Sequence, residues 1–183
     1  MITLSISIQP NQRMTLEEKI GQMTLVEKGA ITADDIAPMG IGALLSGGGG
    51  YPKTNNVNEW AKMVDGFQAR ALQSRLAIPI LYGVDAVHGH NNMYGSVIFP
   101  HNIGLGAAND PALIEQIGQA TAAEMIASGI YWDYAPVVAV VQDIRWGRTY
   151  ESYGENTALV SSLSSAMIRG LQGKSLNAPG SVL

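Results

Sequence analysis

A group of polar side chains begins directly after an apolar stretch in the middle of the sequence. Asp85 follows the apolar residues 78–84, and His88, His90 and Asn91 come close behind it. A carboxylate beside imidazoles and amides offers both hydrogen-bond acceptors and donors, which suits a ligand rich in hydroxyl groups. The alternative is that Asp85 only caps or stabilises its own loop. The residue types alone leave both interpretations open.

A second polar segment lies further along the chain. Arg145 and Arg148 flank Trp146, and Glu151 follows shortly after Arg148. Arg and Glu at this spacing in a loop commonly form a structural ion pair. A fork of donors beside an aromatic face and a carboxylate also suits a sugar, which presents hydroxyls at its rim and C–H groups on its faces. The segment therefore predicts either a braced loop or part of a sugar site.

The histidines after the central apolar stretch also allow a different chemistry. His88 and His90 form a His-x-His pair after a predicted strand, the arrangement with which many amidohydrolases begin a metal site. Such a site needs further ligands, and the sequence adds only one more histidine, His101. The alternative is that the imidazoles hydrogen-bond loop backbone and hold its shape. A metal-dependent hydrolase is thus a minor alternative, and no metal or cofactor is predicted.

The composition is that of a globular chain without a basic surface. The 183 residues carry 11 Lys and Arg against 15 Asp and Glu, include no Cys, and are 46% hydrophobic. No basic stripe supports binding to nucleic acid, and no apolar run reaches the roughly 18 residues of a membrane span. Residues 1–10 lack the basic start of a signal peptide, so none is predicted and the compartment stays open. The length is short of the roughly 250 residues of a complete (β/α)8 barrel.

Helical and strand patterns alternate along the chain. Thr15 and Glu18 form a capping-box pattern at the start of the first predicted helix, and Asp110 with Pro111 begins the third. Near-continuous apolar strands predict an α/β fold with a parallel sheet, whose carboxyl-terminal edge receives the polar loops. The predicted helices cover residues 16–27 and 56–74, the range from Pro111 to Gly129, and a stretch after Gly154 whose apolar side carries Leu159, Leu163, Met167 and Ile168. The predicted strands cover Ile41–Leu45, Ile78–Val84 and part of Ile130–Val141. The predicted loops cover Asp85–Asn109 and Gln142–Gly154.

Several longer motifs occur in a fixed order. They are RMTLEEKIGQM at residues 13–23, LLSGGG at 44–49, GVDAVHGHNN at 83–92 continuing as FPHNIGLGA at 99–107, RWGRTYESYGE at 145–155 and RGLQG at 169–173. In this order they resemble the signature of glycoside hydrolase family 3, the family of β-glucosidases and β-glucan exohydrolases. The resemblance implies a (β/α)8 TIM barrel, of which residues 13–183 form the incomplete amino-terminal portion, about the first three βα units. Residues 1–12 are then an atypical leader.

The resemblance also implies roles for individual residues. Asp85 matches the aspartate that accepts hydrogen bonds from the non-reducing sugar, and Arg148 matches an arginine that donates to the same sugar. The glycines after Ser46 would let the backbone approach the sugar closely. The expected supporting residues are Gly48 and Gly49 in that glycine run, His88, His90 and Asn91 in the wall of the Asp85 loop, and Arg145 and Glu151 as braces of the second polar segment.

The implied activity is retaining, exo-acting hydrolysis that releases terminal β-D-glucose from β-linked glucosides or gluco-oligosaccharides. Retention requires two carboxyl groups about 5–5.5 Å apart, one as nucleophile and one as acid/base. Family members, which are often periplasmic or extracellular, carry these carboxyl groups on later segments whose motifs this sequence lacks. We therefore expect this chain to bind sugar without hydrolysing it, its catalytic residues lying on a missing carboxyl-terminal part of the same enzyme. The alternatives are a non-catalytic sugar-binding remnant and the metal-dependent hydrolase that uses His88 and His90.

Overall fold

A parallel four-stranded sheet forms the centre of the computed structural model, which describes residues 10–176 and 178–183. Each strand neighbours the next one along the chain, so the predicted α/β class with a parallel sheet is confirmed. Residues 1–9 of the predicted leader lie outside the described residues. The strands are β1 (Leu25–Glu27), β2 (Ala43–Ser46), β3 (Leu81–Val84) and β4 (Trp132–Asp133). The helices are α1 (Pro10–Arg13), α2 (Leu16–Gln22), α3 (Ile36–Met39), α4 (Val57–Ala71), α5 (Asn102–Ala108), α6 (Pro111–Ala127) and α7 (Thr157–Gln172), with 3-10 turns at Lys28–Ala30, Ala33–Asp35 and Thr149–Glu151.

The first strand shows that the prediction of one helix over residues 16–27 is wrong at its carboxyl end. α2 begins at the predicted capping box, where Thr15 Oγ1 accepts from Glu18 N at 3.2 Å and Glu18 Oε2 accepts from Thr15 N at 2.8 Å. The helix ends at Gln22, and the chain then extends so that Val26 pairs with β2. Apolar residues at helical spacing continue across this break, so the sequence pattern conceals it.

The apolar side of α2 faces outward. Leu16, Ile20 and Met23 are all exposed, Met23 to 86%. These residues recur at helical spacing, but no described residue covers the stripe that they form. Burial of this face therefore does not stabilise α2. Its capping box, the ion pair between Glu18 and Arg75, and the bonds from Gly42 N to the Gly21 carbonyl and from Gln22 Nε2 to the Gly40 carbonyl, both 2.9 Å long, hold the helix instead.

The core lies between the sheet and the longer helices. Trp60 of α4 and Leu44 of β2 are fully buried, as is Leu163 of α7. The predicted starts of α4 and α6 are confirmed, because Asn56 Oδ1 accepts from Glu59 N at 3.0 Å and Asp110 caps α6 in the same manner. None of the helices in the described ranges is long and apolar enough to cross a membrane.

The predicted loop Asp85–Asn109 contains α5, so a loop throughout this range is a wrong prediction. Two glycines in α5 conceal the helical pattern, since glycine is a poor helix former. Gly106 is required by packing, because a Cβ there would lie 1.8 Å from the carbonyl oxygen of Tyr153. α5 thus packs against the second polar segment, and Asn102 Nδ2 donates to the Glu151 carbonyl at 2.8 Å. This helix links the two polar segments of the sequence.

The last predicted strand and helix are present with smaller extents. β4 occupies only two residues of the predicted range Ile130–Val141. On its outer side Leu183 donates to the Tyr131 carbonyl at 2.8 Å and accepts from Asp133 N at 2.9 Å. In α7, Leu163 and Met167 are buried as expected, whereas Ile168 is largely exposed.

Candidate functional site

The loops after β2, β3 and β4 emerge side by side. Ser46 pairs with Val84, and Val84 pairs with Asp133, so these strands end at the same level of the sheet. The polar segments that follow them therefore lie at one edge, the carboxyl-terminal edge at which parallel α/β proteins hold their ligands. The prediction that the sheet brings these segments to one edge is confirmed.

The backbone around Asp85 is held by side chains of its own loop. Asn92 Nδ2 donates to the Asp85 carbonyl at 3.0 Å, and Asn91 Oδ1 accepts from Val87 N at 3.0 Å. These two asparagines close the turn that follows β3, and they turn a flexible loop into a defined one. Asn91 thus lies in the wall of the loop, as the sequence predicts.

A residue of the neighbouring strand holds the other side of the same turn. Asp133 is 6% exposed, and its Oδ1 accepts from Ala86 N at 2.9 Å. The last ladder bond of this strand pair runs from Tyr134 N to the Val84 carbonyl at 3.0 Å. The peptide groups on both sides of Asp85 are therefore bonded to β4 and the residue after it.

The Asp85 carboxylate itself takes no part in these bonds. It is exposed, and no described residue donates a hydrogen bond to it. Partial burial raises the pKa of this carboxyl, the charge of Arg148 lowers it, and the charge of Glu151 raises it again. An acceptor on a fixed backbone, with its own hydrogen bonds unfilled, is suited to receive hydroxyl groups from a ligand.

Arg148 and Glu151 form a two-pronged ion pair. Glu151 Oε1 lies 2.9 Å from Arg148 Nε, and Oε2 lies 2.6 Å from Nη2. Glu151 is the buried partner, with 12% of its side chain exposed against 62% for Arg148. The hydrogen bonds from Arg148 lower the pKa of the Glu151 carboxyl. Glu151 thereby fixes the direction of the guanidinium, and Nη1 of Arg148 has no bond to a described residue.

Arg145 makes a separate ion pair with Asp143. Arg145 Nε lies 2.9 Å from Asp143 Oδ2, Nη2 contacts the same oxygen, and the Arg145 backbone N donates to Oδ1 at 2.9 Å. The pair is exposed and closes the turn between β4 and the Thr149–Glu151 helical turn. The geometry is that of a loop brace, and the sequence did not identify Asp143 as its partner.

The glycine run after β2 forms a tight turn. Gly50 N donates to the Gly47 carbonyl at 2.8 Å, and Ser46 Oγ donates to the Gly50 carbonyl at 2.8 Å. Gly49 has φ of 86°, which requires glycine, whereas Gly48 has ordinary backbone. A Cβ on either residue would meet no atom within 4 Å, so the space above this turn is open.

The imidazole of His88 packs against a second histidine in a tilted arrangement. The rings of His88 and His101 have their centroids 4.3 Å apart, and Tyr150 lies edge-on to His101 at 4.7 Å. Burial lowers the pKa of His88, and the neighbouring His101 lowers it further. This cluster of three rings joins the Asp85 loop to the second polar segment.

His90 belongs to the core. It is fully buried, its Nε2 lies 3.0 Å from Ser128 Oγ, and its ring lies 5.7 Å from that of Trp60. Burial lowers its pKa to about 4, so the ring is neutral at pH 7. Within the described ranges no three His, Asp or Glu side chains converge on a possible metal position, so the geometry gives the metal-dependent alternative no support.

Two residues near Asp85 were not identified from the sequence. Asp133 is the last residue of β4, and Asp85 directly follows β3. This position at the end of a strand was the only feature of the sequence that could have identified Asp133. Tyr134 follows it, and burial together with the charge of Asp85 raises the pKa of its phenol to about 12. Its hydroxyl is buried without a partner among the described residues. The charge of Asp85 raises the pKa of both residues, so both belong to its surroundings.

The fold and the site define a class of protein: a parallel α/β protein with carboxylate and guanidinium groups at the carboxyl-terminal edge of its sheet. Residues 15–181 match the family model "Glycosyl hydrolase family 3 N terminal domain". The chain therefore belongs to glycosyl hydrolase family 3, and its sheet is part of a TIM-barrel-like domain.

Individual relatives agree with this membership. The chain is 31% identical to a lysosomal β-glucosidase of Dictyostelium discoideum, covering 93% of this chain and 24% of the relative. It is 34% identical to a periplasmic β-glucosidase of Salmonella typhimurium, covering 90% of this chain and 20% of the relative. A crystal structure of a mutant exo-1,3/1,4-β-glucanase from a Pseudoalteromonas species matches with 45% identity and a TM-score of 0.88, over 94% of this chain and 29% of that chain. The chain thus spans less than a third of these relatives.

Proposed function

We propose that this chain forms the glucose-binding first part of a retaining, exo-acting β-glucosidase or β-glucan glucohydrolase. In this proposal residues 13–183 are the amino-terminal portion of the barrel domain and residues 1–12 a leader. The ligand is the terminal non-reducing β-D-glucose of a β-linked glucoside or gluco-oligosaccharide. Asp85 accepts hydrogen bonds from its hydroxyls, and Arg148 donates to it.

The observation that carries the proposal is the exposed carboxylate on a fixed backbone. Asn92 and Asp133 hold the peptide groups around Asp85, while no described residue donates to its carboxylate. A preformed acceptor loses little entropy when a ligand binds. The Arg148 guanidinium, whose charge acts on Asp85, adds donors with a direction fixed by Glu151. Vicinal hydroxyls of a pyranose match such a pair of acceptors and donors.

The remaining predicted residues have supporting roles in this proposal. Asn91 and His88 shape the Asp85 loop, and His90 anchors it in the core beside Ser128. The turn containing Gly48 and Gly49 leaves open space in which backbone can approach the sugar. Arg145 braces the second polar segment through Asp143.

Binding of glucose to the chain tests the proposal directly. We expect Arg148→Ala to weaken the affinity for glucose by about 10- to 150-fold, the loss of one hydrogen bond from a charged donor worth about 1.5–3 kcal/mol. Arg169→Ala is the matched control, because Arg169 is also an exposed arginine that pairs with a glutamate through Nε. Calorimetric titration measures both variants. Equal affinities of wild type and Arg148→Ala would refute the assigned role of Arg148.

Hydrolysis is expected to need more than the residues identified in this chain. Asp85 and Glu151 take binding and bracing roles here, and the nucleophile and acid/base are proposed to come from a further carboxyl-terminal part of the enzyme. The chain alone should therefore release no nitrophenol from nitrophenyl β-glucoside. Turnover at rates normal for enzymes that Asp85→Ala abolishes, but Asp65→Ala on the exposed face of α4 does not, would overturn this expectation.

A further inference from the structure

A buried carboxyl group lies next to the proposed sugar-binding carboxylate and has no part in the function described so far. Asp133 is paired in register with Val84, the residue before Asp85. Its Oδ1 accepts from Ala86 N, while Oδ2 is buried with no hydrogen-bond partner in the described residues. Burial of a carboxyl oxygen without a partner is unfavourable. An amide or hydroxyl side chain could accept the bond from Ala86 N without placing an ionisable group in the interior.

We propose that Asp133 is the positioning residue of Asp85, and that it thereby sets the affinity and pH dependence of sugar binding. Its hydrogen bond with Ala86 N holds the peptide group after Asp85 to β4, beyond the last backbone hydrogen bond between the two strands. The sugar-binding part of this inference rests on the proposed function. The positioning part stands on the contact with Ala86 and on the register of the two strands.

The proposed route of action is a single hydrogen bond followed by a charge effect. The bond to Ala86 N fixes the peptide plane that follows Asp85, and therefore the direction of the Asp85 side chain. The groups that act on Asp133 are the Asp85 charge and the backbone N–H groups of Ala86, Tyr134 and Ala135. Because two neighbouring carboxylates repel each other, a proton on Asp133 favours the ionised form of Asp85. The neutral form of Asp133 therefore supports the acceptor that the sugar needs.

The same arrangement predicts different behaviour for two substitutions of Asp133. Asp133→Asn keeps an acceptor oxygen for Ala86 N and removes the ionisable group. Asp133→Ala removes both the acceptor and the ionisable group. A role limited to filling space would make the two variants differ only in stability, whereas a positioning role separates them in glucose affinity and in the protection of the Ala86 amide.

The experiment combines NMR of the amide and carboxyl groups with glucose titrations between pH 5 and 8. In the wild type we expect the Ala86 amide and the Asp133 side-chain carbon to titrate with the same midpoint, and the Asp85 carbon to sense it. Asp133→Asn should abolish this transition while keeping the Ala86 amide protected from hydrogen exchange. Asp133→Ala should lose that protection and bind glucose about five- to tenfold more weakly. Asp65→Asn, a carboxyl change on the exposed face of α4, is the control that should preserve the wild-type transition.

Each result distinguishes this inference from the proposed function. If the wild type does not bind glucose, the proposed function fails, whereas the Ala86 and Asp85 resonances still support or overturn the positioning role. If glucose binds equally well to the wild type and to folded Asp133→Ala, the control of affinity is overturned. If Asp133→Ala does not fold, Asp133→Asn decides the question through its pH profile. An unchanged transition at Asp85 in Asp133→Asn would overturn the inference.

Discussion

Burial of Asp133 makes a quantitative prediction about stability that does not depend on sugar binding. Removal of this carboxyl from water raises its pKa from 3.8 to about 7, and the hydrogen bond from Ala86 N offsets only part of that rise. Below pH 3.8 the group is neutral in both the folded and the unfolded chain. Between that value and about 7 the folded chain keeps a proton that the unfolded chain releases. The free energy of unfolding contributed by Asp133 therefore falls as the pH rises through this range.

The size of the effect follows from the two pKa values. At about 1.4 kcal/mol for each tenfold change in the acid constant, a rise from 3.8 to about 7 corresponds to a loss of at most about 4 kcal/mol. Asp133→Asn has no ionisable group at this position, and the other titratable groups are common to both proteins. The difference in unfolding free energy, wild type minus Asp133→Asn, should therefore fall by a few kcal/mol between pH 4 and pH 8.

Urea unfolding followed by tryptophan fluorescence measures this difference at each pH. Plotted against pH, the difference should have its steepest slope between about 4 and 7 and be flat above that. Asp65→Asn provides the control, since Asp65 lies on the exposed face of α4. A difference that is constant with pH for Asp133→Asn would show that Asp133 does not titrate from a raised pKa, and the reasoning from burial would then be refuted.

Two further predictions concern the same part of the fold. Burial lowers the His90 pKa from 6.5 to about 4, so the contribution of His90 to the free energy of unfolding falls by up to about 3 kcal/mol as the pH falls through that range, and His90→Gln should remove this contribution. Thermal unfolding across this pH range measures the loss, and equal acid sensitivity of both proteins would contradict it. Gly106→Ala should destabilise the chain by about 1–3 kcal/mol or more, because its Cβ would overlap the Tyr153 carbonyl. Gly104→Ala in the same helix meets only Pro100 Cβ at 3.6 Å and should be neutral or stabilising by up to about 1 kcal/mol, so equal effects at the two glycines would contradict the packing argument.

Features that depend on local sequence were the ones that could be predicted well. The capping box of Thr15 and Glu18 and the caps at Asn56 and Asp110 each involve residues within one helical turn, and all are present. The ion pair of Arg148 with a glutamate three positions later is equally local. Such contacts can be recognised because the spacing of two residue types fixes the geometry between them.

Features that depend on distant partners were missed. β1 is short and polar at one end, and only its pairing with β2 makes it a strand. α5 is concealed by Gly106, a residue that the packing of Tyr153 requires and that helix propensity disfavours. The role of Asp133 depends on Ala86, which is far away in sequence, so no local spacing indicates it.

The two buried titratable groups around the Asp85 loop oppose each other. Asp133 holds the start of this loop, and its contribution to the free energy of unfolding falls as the pH rises from about 4 to 7. His90 anchors the later part of the loop, and its contribution rises over almost the same range. Because each slope is about 1.4 kcal/mol per pH unit, the two nearly cancel in the wild type. Asp133→Asn should therefore reveal a rise in stability between about pH 4 and 6.5, and His90→Gln should reveal a fall. The variant that carries both changes should lose both opposing contributions and have a slope close to that of the wild type. A double variant whose slope departs from that of the wild type would show that another group of the loop, with Asp85 and His88 as the candidates, is coupled to these two.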